Sequence, residues 1–110
     1  MDNTTDNEKV DDLRALFIIF AAGFADEILS VAREEGLKGA TILHSSAGGG
    51  KHGSFLGITV HYEKEIIISI VREETADRVM AAIKKNIGVT SEARTVCFTL
   101  PVDKAVGLAF

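Results

Sequence analysis

From Ser45 to Ser54 the chain reads Ser-Ser-Ala-Gly-Gly-Gly-Lys-His-Gly-Ser, four glycines and three serines around Lys51 and His52. Glycines let backbone N–H groups approach an anion and a lysine supplies charge, so the segment has the composition of a phosphate-cradling loop. The P-loop pattern nevertheless fails. Counting back five from Gly50 gives Ser45 where glycine is required, His52 follows Lys51 where Ser or Thr is required, and no helical pattern begins afterwards. The segment reads as an exposed loop, either a plain hairpin tip or a contact for a nucleotide or another anion.

The metal-ligating types are His44, His52, His61 and Cys97, and none stands at i, i+4 on a helix or in a C-x-x-C arrangement. No metal site is assigned on that spacing; His61 reads as a strand side chain and Cys97 as a small core residue. No spacing forces a nucleophile against a base or two carboxylates together, so no catalytic residue is assigned and the chain is not read as an enzyme. The acidic pairs Asp26/Glu27 and Glu73/Glu74 fall at helix starts, where the positive end of the helix dipole accounts for them. Arg94 stands at the entry to a strand, where its guanidinium either reaches a phosphate or is simply solvated.

The elements that must position these residues follow from periodicity. Residues 13–20 are apolar apart from Arg14, too short to span a membrane and fitting a strand buried on both faces. Phe24, Ile28, Val31 and Ala32 recur at helical spacing, with Asp26 and Glu27 early, Arg33 late and Gly36 as a left-handed stop. Residues 39–44 read as a second strand, 57–62 as a short extension and 66–71 as a central strand. Thr75 is the expected cap of a second helix with the stripe Ala76, Val79, Met80, Ile83 and Ile87, stopped at Gly88. Val96, Phe98 and Leu100 then alternate with Thr95, Cys97 and Thr99 up to Pro101.

Strand, helix, strand, strand, helix, strand is the ferredoxin-like βαββαβ order, an α+β sandwich with an antiparallel sheet and two helices on one face. The other sheet face is left uncovered, and the consecutive apolar residues of 13–20 and 66–71 predict that a small oligomer buries it.

Composition bounds the function. Twelve Lys and Arg against sixteen Asp and Glu give a net charge of −4 over 110 residues. No basic block is present for a phosphate backbone or an anionic membrane, so neither nucleic-acid binding nor direct membrane insertion is expected. Residues 1–12 hold five acids and read as a flexible tail preceding one domain over 13–110. One cysteine and no apolar signal core place the protein in the reducing cytoplasm.

Taken in order, Gly23-Phe24-Ala25-Asp26-Glu27, the run from Gly36 to His44, Glu63-Lys64-Glu65-Ile66 and Leu100-Pro101-Val102-Asp103 resemble the nitrogen-regulatory P-II family, in particular its compact P-II-like branch. The resemblance covers almost everything after Asp12. It implies a homotrimer that binds an adenine nucleotide, ATP or ADP, in each cleft between subunits. It also implies docking on a target protein, a membrane transporter or a metabolic enzyme, through the T-loop, here residues 45–62.

By the same resemblance Thr41 faces adenine, Gly48, Gly49, Gly50 and Lys51 form the phosphate-side turn, and Lys64 is a base-proximal lysine. Gly88, Val89, Thr90 and Ser91 offer backbone contacts from the B-loop, whose basic residue is Arg94. Ser46, His52, Gly53, Ser54 and Phe55 belong to the partner-binding loop. The chain departs from the nitrogen-control members in a T-loop about six residues shorter, with no tyrosine inside it and Tyr62 at its base, in a B-loop with fewer glycines, and in a tail, 103–110, without arginine. The alternative reading is an ion-binding or structural trimer similar to the divalent-cation tolerance proteins, with His44, His52 or His61 as ligands.

Overall fold

The computed structural model describes residues 12–44, 63–88 and 91–108 in full and 52–55 and 58–61 as backbone. The order of elements is β1 (Leu13–Ala21), α1 (Ala25–Glu34), β2 (Thr41–His44), β3 (His52–Phe55), β4 (Ile58–His61), β5 (Lys64–Arg72), α2 (Glu73–Ile87) and β6 (Val96–Pro101). A four-stranded antiparallel sheet has the order β2-β5-β1-β6, and β3 pairs with β4 in a separate two-stranded sheet. The four-stranded sheet and its two helices form the ferredoxin-like α+β sandwich.

Strand periodicity of two divides the sheet into unlike faces. Leu16, Ile18 and Phe20 of β1 and Ile67 and Val71 of β5 meet Ile28 and Ala32 of α1 and Ala76, Val79, Ile83 and Ile87 of α2 in the core. The alternate residues lie on the other face, where Val96, Phe98 and Leu100 of β6 and Leu43 of β2 remain 41–50% exposed. In the single chain β1 is therefore covered on one face only, and the residues expected to want a second cover are on a surface.

Helix α1 ends as its glycine predicts. Gly36 takes φ +109°, and the N–H groups of Gly36 and Leu37 donate to Arg33 O and Ala32 O at 3.1 Å each, closing the last turn. The Arg78 guanidinium of α2 donates to Glu35 O, fastening the two helices at that end.

Four expectations need correction. Helix α2 begins at Glu73, with Arg72 at the N-cap and no side-chain cap; Asp12 O accepts the Glu73 N–H at 2.6 Å, so a backbone carbonyl does the work expected of Thr75. Gly88 stops α2 in extended backbone, φ −78°, rather than in the left-handed region. A Cβ there would meet Lys84 O at 3.0 Å, so close approach, not φ, favours glycine. Asp12 is fastened by that carbonyl and by its carboxylate on Arg72 Nη1 at 3.0 Å. Residues 52–54, expected in the exposed loop, form most of β3, in the register His52↔His61, Gly53↔Val60, Ser54↔Thr59 and Phe55↔Ile58. The ladder is made by backbone groups and needs no apolar pattern on the glycine-rich strand.

Candidate functional site

The edge strand β2 starts beside β5 with Thr41 opposite Ile68. Its approach is fixed by a buried hydroxyl: Ser69 Oγ donates to Gly39 O at 2.5 Å, and Ser69 is only 4% exposed. An open cleft of about 280 Å³ lies at this edge, and Gly39, Thr41, Ile68, Ile70, Gly107 and Leu108 line it. The C-terminal segment reaches it from the other side of the sheet. Val102 N donates to Leu13 O, and the left-handed turn at Gly107, φ +86°, precedes Leu108 at the cleft wall. A smaller pocket of about 190 Å³ adjoins through Gly39, Ser69 and Ile70 and carries the cations Lys38 and Arg72.

The second group of residues sits at the far edge, between α2 and β6. Gly88 O gathers the Ser91 N–H at 3.0 Å, the Ser91 hydroxyl at 2.6 Å and the Thr95 N–H at 3.4 Å. Ser91 Oγ in turn accepts the Ala93 N–H at 3.2 Å. This self-bonded turn sets Arg94 at φ +51°, a left-handed conformation that disfavours side chains other than glycine, and leaves its guanidinium exposed. Ala93 O accepts Ala21 N–H at 2.8 Å, joining the turn to the end of β1. The Thr95 hydroxyl is buried without a partner among the described residues.

Lys64 opens β5 opposite Ala21 and is half-buried. It shares a sheet face with Ile68 but stands four residues away, about 13 Å at the rise of a strand. Lys64 therefore lies at the B-loop end of the sheet and not in the Thr41 cleft. Because β2 and β6 are the two edges of the sheet, three strand spacings of about 4.8 Å separate Thr41 from the B-loop. A single chain thus does not bring Thr41 together with Gly88, Ser91 and Arg94.

His44, the last residue of β2, pairs with Glu65 through Nδ1 and Oε2 at 2.5 Å. Among the described residues no group of three His, Cys, Asp or Glu side chains is placed to hold a metal, and no helix is long and apolar enough to cross a membrane. Burial pushes the Cys97 thiol above its ordinary pKa. His52, Gly53, Ser54 and Phe55 lie on β3. Ser46, Gly48, Gly49, Gly50, Lys51, Val89 and Thr90 lie outside the described residues.

Sequence reasoning missed Gly39, Ile68, Ser69, Gly107 and Leu108. One signal was available: Ser69 is the sole polar residue within the run 66–71, and a hydroxyl buried there requires a partner.

A family model described as nitrogen regulatory protein P-II matches residues 13–108. The chain belongs to that family. A protein described as a PII-like signalling protein from Thermus thermophilus aligns at 18% identity over 92% of this chain and 93% of that one, with a TM-score of 0.66. CPII from Thiomonas intermedia, a nitrogen regulatory PII-like protein bound to ADP, AMP and bicarbonate, aligns at 20% identity over 89% and 96%, with a TM-score of 0.60. The GlnK–ATP complex of B. subtilis aligns at 15% identity over 84% of each chain, with a TM-score of 0.61. At these identities the likeness is one of fold. No curated protein matches the chain in sequence.

Proposed function

We propose that the protein is a non-enzymatic signalling trimer that binds an adenine nucleotide between subunits and reports it to a target protein through the segment 45–62. The observation that carries this reading is the separation of Thr41 and the B-loop on opposite sheet edges. A ligand that uses both must lie between two chains. The cleft at Thr41, about 280 Å³, falls just below the roughly 300–1,000 Å³ of a complete small-molecule pocket, as a site missing one wall would.

The uncovered sheet face supplies a reason to assemble. Val96, Phe98 and Leu100 form a period-two apolar stripe on an edge strand, and packing it against neighbouring chains removes it from water. Assembly would carry the Thr41 edge of one chain towards the Arg94 turn of the next. The nucleotides present in the CPII and GlnK structures support the choice of ligand class. Within the cleft, Thr41 would face the base; Arg94, Lys64 and the segment around Gly48–Lys51 would offer charge and N–H groups to the phosphates. A ligand that favours one arrangement of residues 45–62 by such contacts shifts its population and hence its grip on a target.

Calorimetric titration of the purified protein with ATP, ADP and AMP, paired with its mass in solution, tests the reading. The expected result is a trimer with one nucleotide per chain. A monomer, or no saturable binding of any of them, would overturn it.

A further inference from the structure

We propose a binding site for a divalent metal of the zinc class at the root of the segment 45–63, with His44, His52 and His61 as ligands and Glu65 as the group that orients His44. All three histidines of the chain take part. They are separated by eight and nine residues along the sequence, which is no ligand spacing in a helix, and the strand register changes that.

His52 and His61 are direct partners in the β3–β4 ladder. Residues directly opposite in an antiparallel pair share a face with Cβ atoms about 4.5–5.5 Å apart. That separation lets two imidazoles reach one ion, whose bonds to histidine nitrogen are about 2.0–2.1 Å. Two residues separate His61 from Lys64, and extended chain spans at most about 3.6 Å per residue, so β4 ends within about 11 Å of the start of β5. Glu65 is the next residue, and His44 is its partner in register.

The His44–Glu65 contact independently points to a ligand. Nδ1 is held by Oε2 of a carboxylate whose side chain is 13% exposed, while the imidazole itself is 70% exposed. The carboxylate's other oxygen, Oε1, is buried with no partner among the described residues. Burying a carboxylate to hold a surface histidine is unfavourable unless the histidine has a task. Carboxylate on one ring nitrogen and metal on the other is the usual arrangement of a ligating histidine, because the hydrogen bond fixes the tautomer and raises the basicity of the free nitrogen. Here Nε2 of His44 is the free nitrogen. Three neutral imidazoles suit zinc, nickel or copper and not magnesium or calcium, which take oxygen ligands. A bound ion would tie both strands of the hairpin to the end of β2 and fasten the loop they enclose.

The test is calorimetric titration of the metal-free full chain with Zn2+ in the absence of nucleotide, followed by tryptic cleavage after Lys51, which lies between His44 and His52. One saturable Zn2+ per chain is expected, with slower cleavage at Lys51. His52→Ala and His61→Ala, both on the hairpin and outside the four-stranded sheet, should each abolish the protection and weaken binding at least as much as Glu65→Gln, for which about 10–100-fold is expected. Far-UV circular dichroism checks that each variant is folded. Wild-type titrations from His52→Ala and His61→Ala would overturn the proposal even if Zn2+ bound elsewhere, as would the absence of saturable binding to the wild type.

Discussion

The rings of Phe17 and Phe98 stack across the β1–β6 pair, centroids 5.0 Å apart and planes within 6°. They lie on the sheet face that the helices leave bare, and Phe98 is 41% exposed. A stacked pair at a surface gains little from burial in the single chain, yet it presents a flat apolar platform to a neighbour. Phe98→Asp should therefore leave the helix-facing core intact and abolish the trimer. Sedimentation equilibrium should report a monomer with native circular dichroism; a persistent trimer would remove this face from the interface.

That face was legible before any coordinates, because Ile66, Ile67, Ile68, Ile70 and Val71 follow one another without polar alternation, as strands do when both faces are to be buried. The helices were equally legible from their stripes and from Gly36. What stayed hidden was made by backbone groups or by distant residues. The pairing of His52–Phe55 uses N–H and C=O groups that a glycine carries as well as any residue. The start of α2 is capped by the carbonyl of Asp12, sixty-one residues earlier in the chain. The Thr41 cleft draws Gly39, Ile68 and Gly107 from three separate segments, and no local pattern connects them. Arg94 could be assigned by resemblance, but its left-handed backbone could not be read from its type.

That conformation makes Arg94 separable from its side chain. A residue other than glycine in the left-handed region costs about 1–3 kcal/mol, and glycine gives back about 0.5–1 kcal/mol of that through its freer unfolded chain. Arg94→Gly should therefore be at least as stable as wild type and up to about 2 kcal/mol more so, whereas Arg94→Ala should match wild type. Both remove the guanidinium and should bind ATP more weakly, by about tenfold for a lost charge-assisted hydrogen bond of about 1.5 kcal/mol. Thermal melts and titrations on the two variants check the pair. Unchanged affinity in both would take Arg94 out of the site.

Cys97 lies on β6 and packs against the helix-side core, where desolvation disfavours its thiolate and raises the pKa. The raised value favours the protonated thiol in the folded state. Below about pH 8.5, the ordinary thiol pKa, both states keep the proton and the group adds no pH dependence. As pH rises past that value the unfolded chain ionises first, so the contribution of Cys97 to stability falls. Alkylation by iodoacetamide at pH 8 should be slower in the native protein than in the denatured one, and the gap should persist towards pH 9. Equal rates would show an accessible, unshifted thiol.

Ser69 links the core to the candidate nucleotide cleft. Its hydroxyl is the donor that satisfies Gly39 O, just ahead of β2 and at a wall shared by the cleft and the adjoining pocket. Ser69→Ala deletes one side-chain oxygen from a site only 4% exposed and strips that carbonyl of its hydroxyl partner. The expected loss is about 1–3 kcal/mol, read as a lower denaturation midpoint at fixed protein concentration. Because Gly39 and Thr41 are two residues apart, loosening one moves the other, and affinity for ATP should fall as well without any change in charge. Stability lost with affinity kept would mean that the Gly39 contact serves packing alone; affinity lost in step with it would tie the position of β2 to the ligand.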